Sequence, residues 1–221
     1  MKVCTDACLF AAWVAAYLQK NKINPGSILD IGTGTGLLSL MLAQKTLALI
    51  DAVEINTDAA LQAIENFNAS PWKQRLNVFE TGILQYSTYK KYDFIISNPP
   101  FFNNNLLSPD KNKNTAKHDG HLGLTELIKA INENLSGDGM AAVLLPYSRT
   151  GFFETHAARQ GLFIIEKTLV KQTPAHPAFR SMLLCAKKEK VMRQAEIIIH
   201  NDERKYTNEF IELLKDYYLK L

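Results

Sequence analysis

Ser27-Ile28-Leu29-Asp30-Ile31-Gly32-Thr33-Gly34-Thr35-Gly36-Leu37 decides the fold of this 221-residue chain. An apolar strand, Ser27 to Ile31, runs into three alternating glycines, and a helix, Leu37 to Gln44, begins directly after them. A strand that enters a helix through glycines is where a doubly wound α/β fold brings its backbone close to a nucleotide-like ligand. Leu37 stands where a dinucleotide fingerprint needs its third glycine, which argues against NAD. The second strand, Ala48 to Ile55, carries Glu54 near its end, where a carboxylate can accept both hydroxyls of a ribose. Asp30 is placed to orient amides of the turn or to take a ligand amino group through water.

Outward from that stretch, strands and helices alternate. Helix Asp58 to Asn68 precedes strand Leu76 to Thr81, and strand Tyr92 to Ile96 is followed by helix Leu122 to Leu135, which Gly137 and Gly139 are expected to end. Strand Met140 to Leu145, a helix near Phe152 to Arg159, and strands near Phe163 to Val170 and Ser181 to Ala186 complete the pattern. It predicts a mostly parallel seven-stranded sheet with helices on both faces, closed by a hairpin. A single domain is expected, with an N-terminal helix in residues 1–25, a core in 26–188 and an appendage in 189–221. In that appendage Glu196 to Ile199 reads as extended and Asn208 to Leu219 as helical.

Chemistry is expected at Ile95-Ile96-Ser97-Asn98-Pro99-Pro100-Phe101-Phe102. Two prolines end the strand by removing two backbone donors, and the first holds Asn98 out of the helical region. The Asn98 carboxamide and the carbonyls beside Pro99 and Pro100 then face a cavity as acceptors, with Phe101 as a stacking surface. Two acceptors on one planar amino group draw its nitrogen toward tetrahedral character and free the lone pair for an electrophilic methyl. No strong base is needed. Adenine, cytosine, guanine and glutamine all offer such a nitrogen.

Composition sets the remaining bounds. With 47% hydrophobic and 21% charged residues the chain has an ordinary globular make-up, and its net charge of +3 leaves the location of charge to decide any polyanion partner. Cys4, Cys8 and Cys185 lack the spacing of a disulfide framework or a zinc site, and suggest reduced thiols in the cytoplasm. The apolar run Ala7 to Leu18 is interrupted upstream by Asp6 and reads as a helix capped by Thr5 or Asp6, with Leu9, Trp13 and Ala16 or Tyr17 on its buried face. No run approaches membrane-spanning length. The segment from Phe102 to Asp119 is long and polar; it holds Lys111, Lys113, Lys117 and His118. Lys167, Lys171, His176 and Arg180 flank the late hairpin, so both groups are candidates to meet RNA above the carboxyl edge of the sheet.

The acidic strand end, the alternating glycines and Glu54 together resemble the S-adenosylmethionine core of class I methyltransferases, and Asn98-Pro99-Pro100-Phe101 resembles the signature of amino-group methyltransferases within it. Met1-Lys2-Val3 with Thr5-Asp6, Leu29 to Leu38, Met41 to Gln44, Asp51 to Glu54, Ser70-Pro71-Trp72 and Tyr206-Thr207 with Glu209-Phe210 extend the likeness over essentially the whole chain. They resemble the bacterial tRNA (adenine-N(6))-methyltransferases that act on valine tRNA. The resemblance implies methylation of the adenosine at anticodon-loop position 37, no metal, and a further segment ahead of Met1; a monomer is favoured. It also implies a cofactor site built from Thr5, Asp30, Gly32, Gly34, Gly36, Glu54, Ile55, Thr81, Gly82, Ile83 and Asn98. Gly82 departs from the class, which usually has an acidic side chain there for the cofactor adenine, so Thr81 or the Ile83 backbone is expected to substitute. The rivals are a release-factor glutamine methyltransferase, whose extra helical domain is absent here, and a non-catalytic RNA-binding module.

Overall fold

The computed structural model describes residues 4–99 and 122–220. Pro100, Phe101, Lys111, Lys113, Lys117 and His118 lie outside them. The strands are β1 (Ser27–Ile31), β2 (Leu49–Glu54), β3 (Leu76–Glu80), β4 (Tyr92–Ser97), β5 (Leu135–Pro146), β6 (Phe163–Lys171), β7 (Ala178–Ala186) and β8 (Arg193–Ile198). They form one sheet in the order β3-β2-β1-β4-β5-β7-β6-β8. β7 runs antiparallel to both its neighbours; the other pairings are parallel. The chain works outward from β1 to β3 and then returns to β4 on the other side of β1, so the order reverses between β1 and β4. A crevice opens at the carboxyl ends of two such strands because their connections leave in opposite directions.

The central strands are buried on both faces, and successive side chains enter opposite apolar layers. Ile28, Phe94 and Ile96 point to one apolar layer with helices α1 (Thr5–Lys20), α2 (Leu37–Ala43) and α6 (Asn208–Leu214). Leu29, Ile31 and Ile95 point to the other, with α4 (Leu124–Asn134) and α5 (Thr150–Arg159). Helix α3 (Thr57–Ala69) packs on β2 and β3 and sends Phe67 into the first layer. Among the described residues no helix is long and apolar enough to cross a membrane.

Four details depart from the sequence reading. The sheet has eight strands, because the extended part of the tail pairs in parallel with β6 as β8, which covers that edge. Gly137 and Gly139 lie inside β5 rather than after the helix, where the register with β4 slips between Tyr92 and Phe94. A Cβ on Gly139 would stand 2.8 Å from Leu135 Cδ1, so a side chain in this bulge would have to displace Leu135. Helix α1 is buried almost all round, from Ala7 to Ala15, because α2, α6 and the sheet surround it. Its cap is Cys4, without a side-chain bond, while the Asp6 carboxylate accepts from Ala7 N at 3.0 Å.

Candidate active site

Gly32, Gly34 and Gly36 all have positive φ, at 70°, 58° and 86°. Such alternation folds the chain back on itself and aims successive amides into one concavity, at low cost for glycine alone. Strand β2 pins the turn: Val53 O accepts from Gly32 N at 2.9 Å, and Glu54 Oε2 accepts from Gly34 N at 2.8 Å. Glu54 Oε1 accepts from Asn56 N at 2.9 Å, so one carboxylate ties the ends of β1 and β2 together. A Cβ added to Gly32 would meet nothing within 4 Å, because that position opens into space.

That space is a cavity of about 1310 Å³ at the reversal between β1 and β4. Gly32, Gly34, Glu54, Ile55, Thr81, Gly82, Ile83, Asn98 and Pro99 line it, which brings together the residues that sequence placed there from four separate strands. Ser97 Oγ donates to Ile31 O at 2.9 Å and fixes the ends of β1 and β4 side by side. Asn98 follows directly, and its Oδ1 is buried without a hydrogen-bond donor among the described residues. A buried acceptor left unpaired costs about 1–3 kcal/mol, so its persistence marks a place prepared for a donor from a ligand.

Three expected cofactor residues stand elsewhere. Asp30 is fully buried behind the turn, with Oδ2 accepting from Thr33 Oγ1 and Ser39 Oγ, each at 2.7 Å. Burial pushes its carboxyl up to about 6, against the pull of those two hydroxyls. Asp30 therefore shapes the turn and does not line the cavity. Gly36 does not line it either; it starts α2, and a Cβ there would come within 2.4 Å of Phe67 Cε1. Thr5 is turned toward the Tyr218 hydroxyl.

The basic residues also separate. Arg180 lines the cavity and its Nε donates to Asp6 Oδ2 at 2.7 Å, which joins the start of α1 to β7 at the cavity rim. Burial would raise the Asp6 carboxyl, but the Cys4 side chain and the Arg180 guanidinium hold it below the usual carboxylate range. Lys171 is paired with Glu196 at 2.9 Å, Lys167 with Glu154 at 3.0 Å, and His176 with the Thr173 hydroxyl. None of these three lines the cavity.

Residues 11–117 match the family described as methyltransferase small domain. The tRNA1(Val) (adenine(37)-N6)-methyltransferase of Flavobacterium johnsoniae is 39% identical over 100% of this chain and 94% of its own. The chain belongs to the tRNA1(Val) (adenine(37)-N6)-methyltransferase family. The family member from Cytophaga hutchinsonii is 40% identical over 100% of this chain and 92% of its own. At the level of fold, a predicted O-methyltransferase from Agrobacterium tumefaciens superposes with a TM-score of 0.70 at 17% identity, covering 95% of each chain. Magnesium protoporphyrin IX methyltransferase from Synechocystis gives 0.60 at 16%, covering 83% of this chain and 80% of its own.

S-adenosylmethionine is the methyl donor of this family, and the residues fit it. The open cradle at Gly32 admits a ligand against the backbone, Glu54 stands at the second strand end with lone pairs to spare, and Asn98 holds an acceptor in reserve. Sequence reasoning missed Asp6, Gln85 and Glu126, which also line the cavity. Asp6 and Arg180 meet across 174 residues, and no local pattern announces such a pair.

Proposed function

We propose that this protein transfers a methyl group from S-adenosylmethionine to N6 of the adenosine at position 37 in the anticodon loop of valine tRNA, a cytoplasmic reaction. The observation that carries the proposal is Asn98 Oδ1, buried with no partner among the described residues, in the cavity lining beside Pro99. Membership in a family whose members are named for this acceptor supports it. When bound, the cofactor supplies an electrophilic methyl.

The chain's own part is to hold the nucleophile. The base is extruded from its stack, because Asn98 lines a cavity and a stacked base cannot enter it. Asn98 Oδ1 and a carbonyl beside Pro99 accept the two N6 hydrogens, localise the nitrogen lone pair and aim it at the methyl. The N6 proton released on transfer passes to solvent, so no side chain needs to titrate. Asp6 holds the Arg180 guanidinium in the cavity lining, where it is proposed to meet an incoming phosphate together with its existing partners. Lys111, Lys113 and Lys117 are proposed to add phosphate contacts. Neutralising the three should flatten the slope of log affinity against log salt by about two units, at about 0.7 per single-strand contact.

Incubation with methyl-labelled S-adenosylmethionine and a valine tRNA transcript tests the proposal. Label is expected in N6-methyladenosine, and replacing adenosine 37 by guanosine should abolish it. Equal labelling of both transcripts, or label only in an added release factor, would overturn the assignment.

A further inference from the structure

Beyond Glu54 the cavity is lined by Ile55 from the end of β2 and by Gly82, Ile83 and Leu84 from the turn after β3. Ile55 is 55% exposed and Leu84 51% exposed although both line the cavity, so apolar surface is presented there rather than packed away. Gly82 approaches Ile55 closely: a Cβ on it would stand 3.3 Å from Ile55 Cδ1. Exposed apolar surface next to a ribose-binding carboxylate suits the base attached to that ribose.

The polar groups around this surface are mostly committed. Asn56 Oδ1 accepts from Ala59 N to cap α3, Gln62 Nε2 donates to Glu65 and Asn66, and Thr81 Oγ1 reaches only the Gly82 carbonyl, at 3.5 Å. Asp58 belongs to the first turn of α3, where a helix N-terminus already favours its charge. Gln85 differs. Its backbone N donates to Gly82 O at 3.0 Å, closing a turn, and its side chain folds back over that turn until Oε1 lies 2.3 Å from where a Gly82 Cβ would be. The carboxamide thus occupies the volume that a side chain at position 82 would fill, and no described residue hydrogen-bonds to it.

We infer that Gln85 reads the adenine of S-adenosylmethionine from the space left by Gly82. A carboxamide has both an acceptor and a donor, so it can take a hydrogen from the exocyclic amino group and give one to the adjacent ring nitrogen, the pairing by which glutamine distinguishes adenine from other bases. A carboxylate in the same place accepts only. The inference depends on the cavity being the cofactor site and not on the tRNA acceptor, and RNA is absent from its test.

Calorimetric titration compares S-adenosylhomocysteine with its purine counterpart, in which hydrogen replaces the amino group. The wild type should prefer the adenine form by about tenfold or more, as expected when a paired polar group is lost. In Gln85→Ala the two affinities should converge. A purely structural role would weaken both ligands and leave their ratio unchanged, and that result would overturn the inference. Gly82→Asp in the Gln85→Ala background should bring the preference back, since the added carboxylate enters the vacated volume and accepts from the amino group. A double variant that binds both forms equally would overturn the assignment of that position.

Discussion

The two ends of the sheet treat their buried polar groups in opposite ways. Toward the amino ends, Asp51 accepts from Lys90 and Tyr92 at 2.8 Å and from Asn77 at 2.9 Å, while Asp93 accepts from the amides of Gly26 and Ser27. Toward the carboxyl ends, Asp30 Oδ1 and Asn98 Oδ1 are buried with no partner; the other such atom among the described residues is the rotatable hydroxyl of Thr168. Both ends are built from the same strands and share the same apolar layers. One end satisfies itself and stabilises the fold, whereas the other keeps acceptors unpaired at a cost in stability and holds one of them, on Asn98, in the cavity lining for a ligand.

The largest expected effect lies at the unpaired end. Asn98→Ala removes an acceptor that no other described residue uses, so stability and S-adenosylhomocysteine affinity should hardly change. Methyl transfer should fall by about a hundredfold to a thousandfold, roughly 3–4 kcal/mol, as when one polarising hydrogen bond is deleted elsewhere. Single-turnover rates alongside titration separate the two; near-normal turnover would remove Asn98 from the chemistry.

Asp30 should give a pH signature of about 3 kcal/mol. Because its folded carboxyl is raised to about 6 by burial, with the Glu54 charge adding to the rise, the folded state holds its proton more tightly than the unfolded chain does. Its stabilising contribution is therefore complete below about pH 4 and is lost as pH rises through about 6. Urea unfolding of the ligand-free protein across that window should show this decline in the wild type and not in Asp30→Asn, which keeps an acceptor for Thr33 and Ser39. Parallel profiles would mean that Asp30 stays ionised.

The satisfied end should respond with the opposite sign. Burial alone would raise the Asp51 carboxyl, but Lys90, Asn77 and Tyr92 outweigh it and hold the group below the usual range. Its contribution is present above about pH 4 and is lost as pH falls through the lowered value. Asp51→Ala leaves the buried Tyr92 hydroxyl with only Tyr86 as partner, at 2.7 Å, and should cost about 2 kcal/mol in urea unfolding. An unchanged midpoint would show that the network is idle.

How much of this was legible follows from sequence distance. The β1 turn, Glu54 and the Asn98-Pro99 strand end could be read because each is a local signal of glycine, proline or charge at the end of an apolar run. Asp30 looked like a ligand contact because position in a strand does not reveal which face the following turn will cover. The carboxamide of Gln85 was hidden for a different reason: a side chain folded over a glycine three residues back depends on rotamers rather than pattern. The tail could be recognised as extended but not as a strand of the sheet, since a parallel partner is never a neighbour in sequence.

Glu54 gives the smallest expected effect and the finest test, because it belongs to both regimes. Each of its oxygens already accepts a backbone amide, from Gly34 and from Asn56, yet a carboxylate offers about four lone-pair sites, so one acceptor on each oxygen remains for a ribose hydroxyl. Glu54→Gln keeps the shape but turns one acceptor into a donor, which then faces a backbone N–H and cannot receive a hydroxyl hydrogen. Affinity for S-adenosylhomocysteine should fall about tenfold, near 1.4 kcal/mol, with a small loss of thermal stability from the loosened turn. The 2′-deoxy form of the ligand sharpens the comparison: wild type should discriminate against it, and Glu54→Gln should discriminate less. Equal affinity of wild type and variant for the ribose ligand would place Glu54 wholly with the self-satisfied half of the sheet.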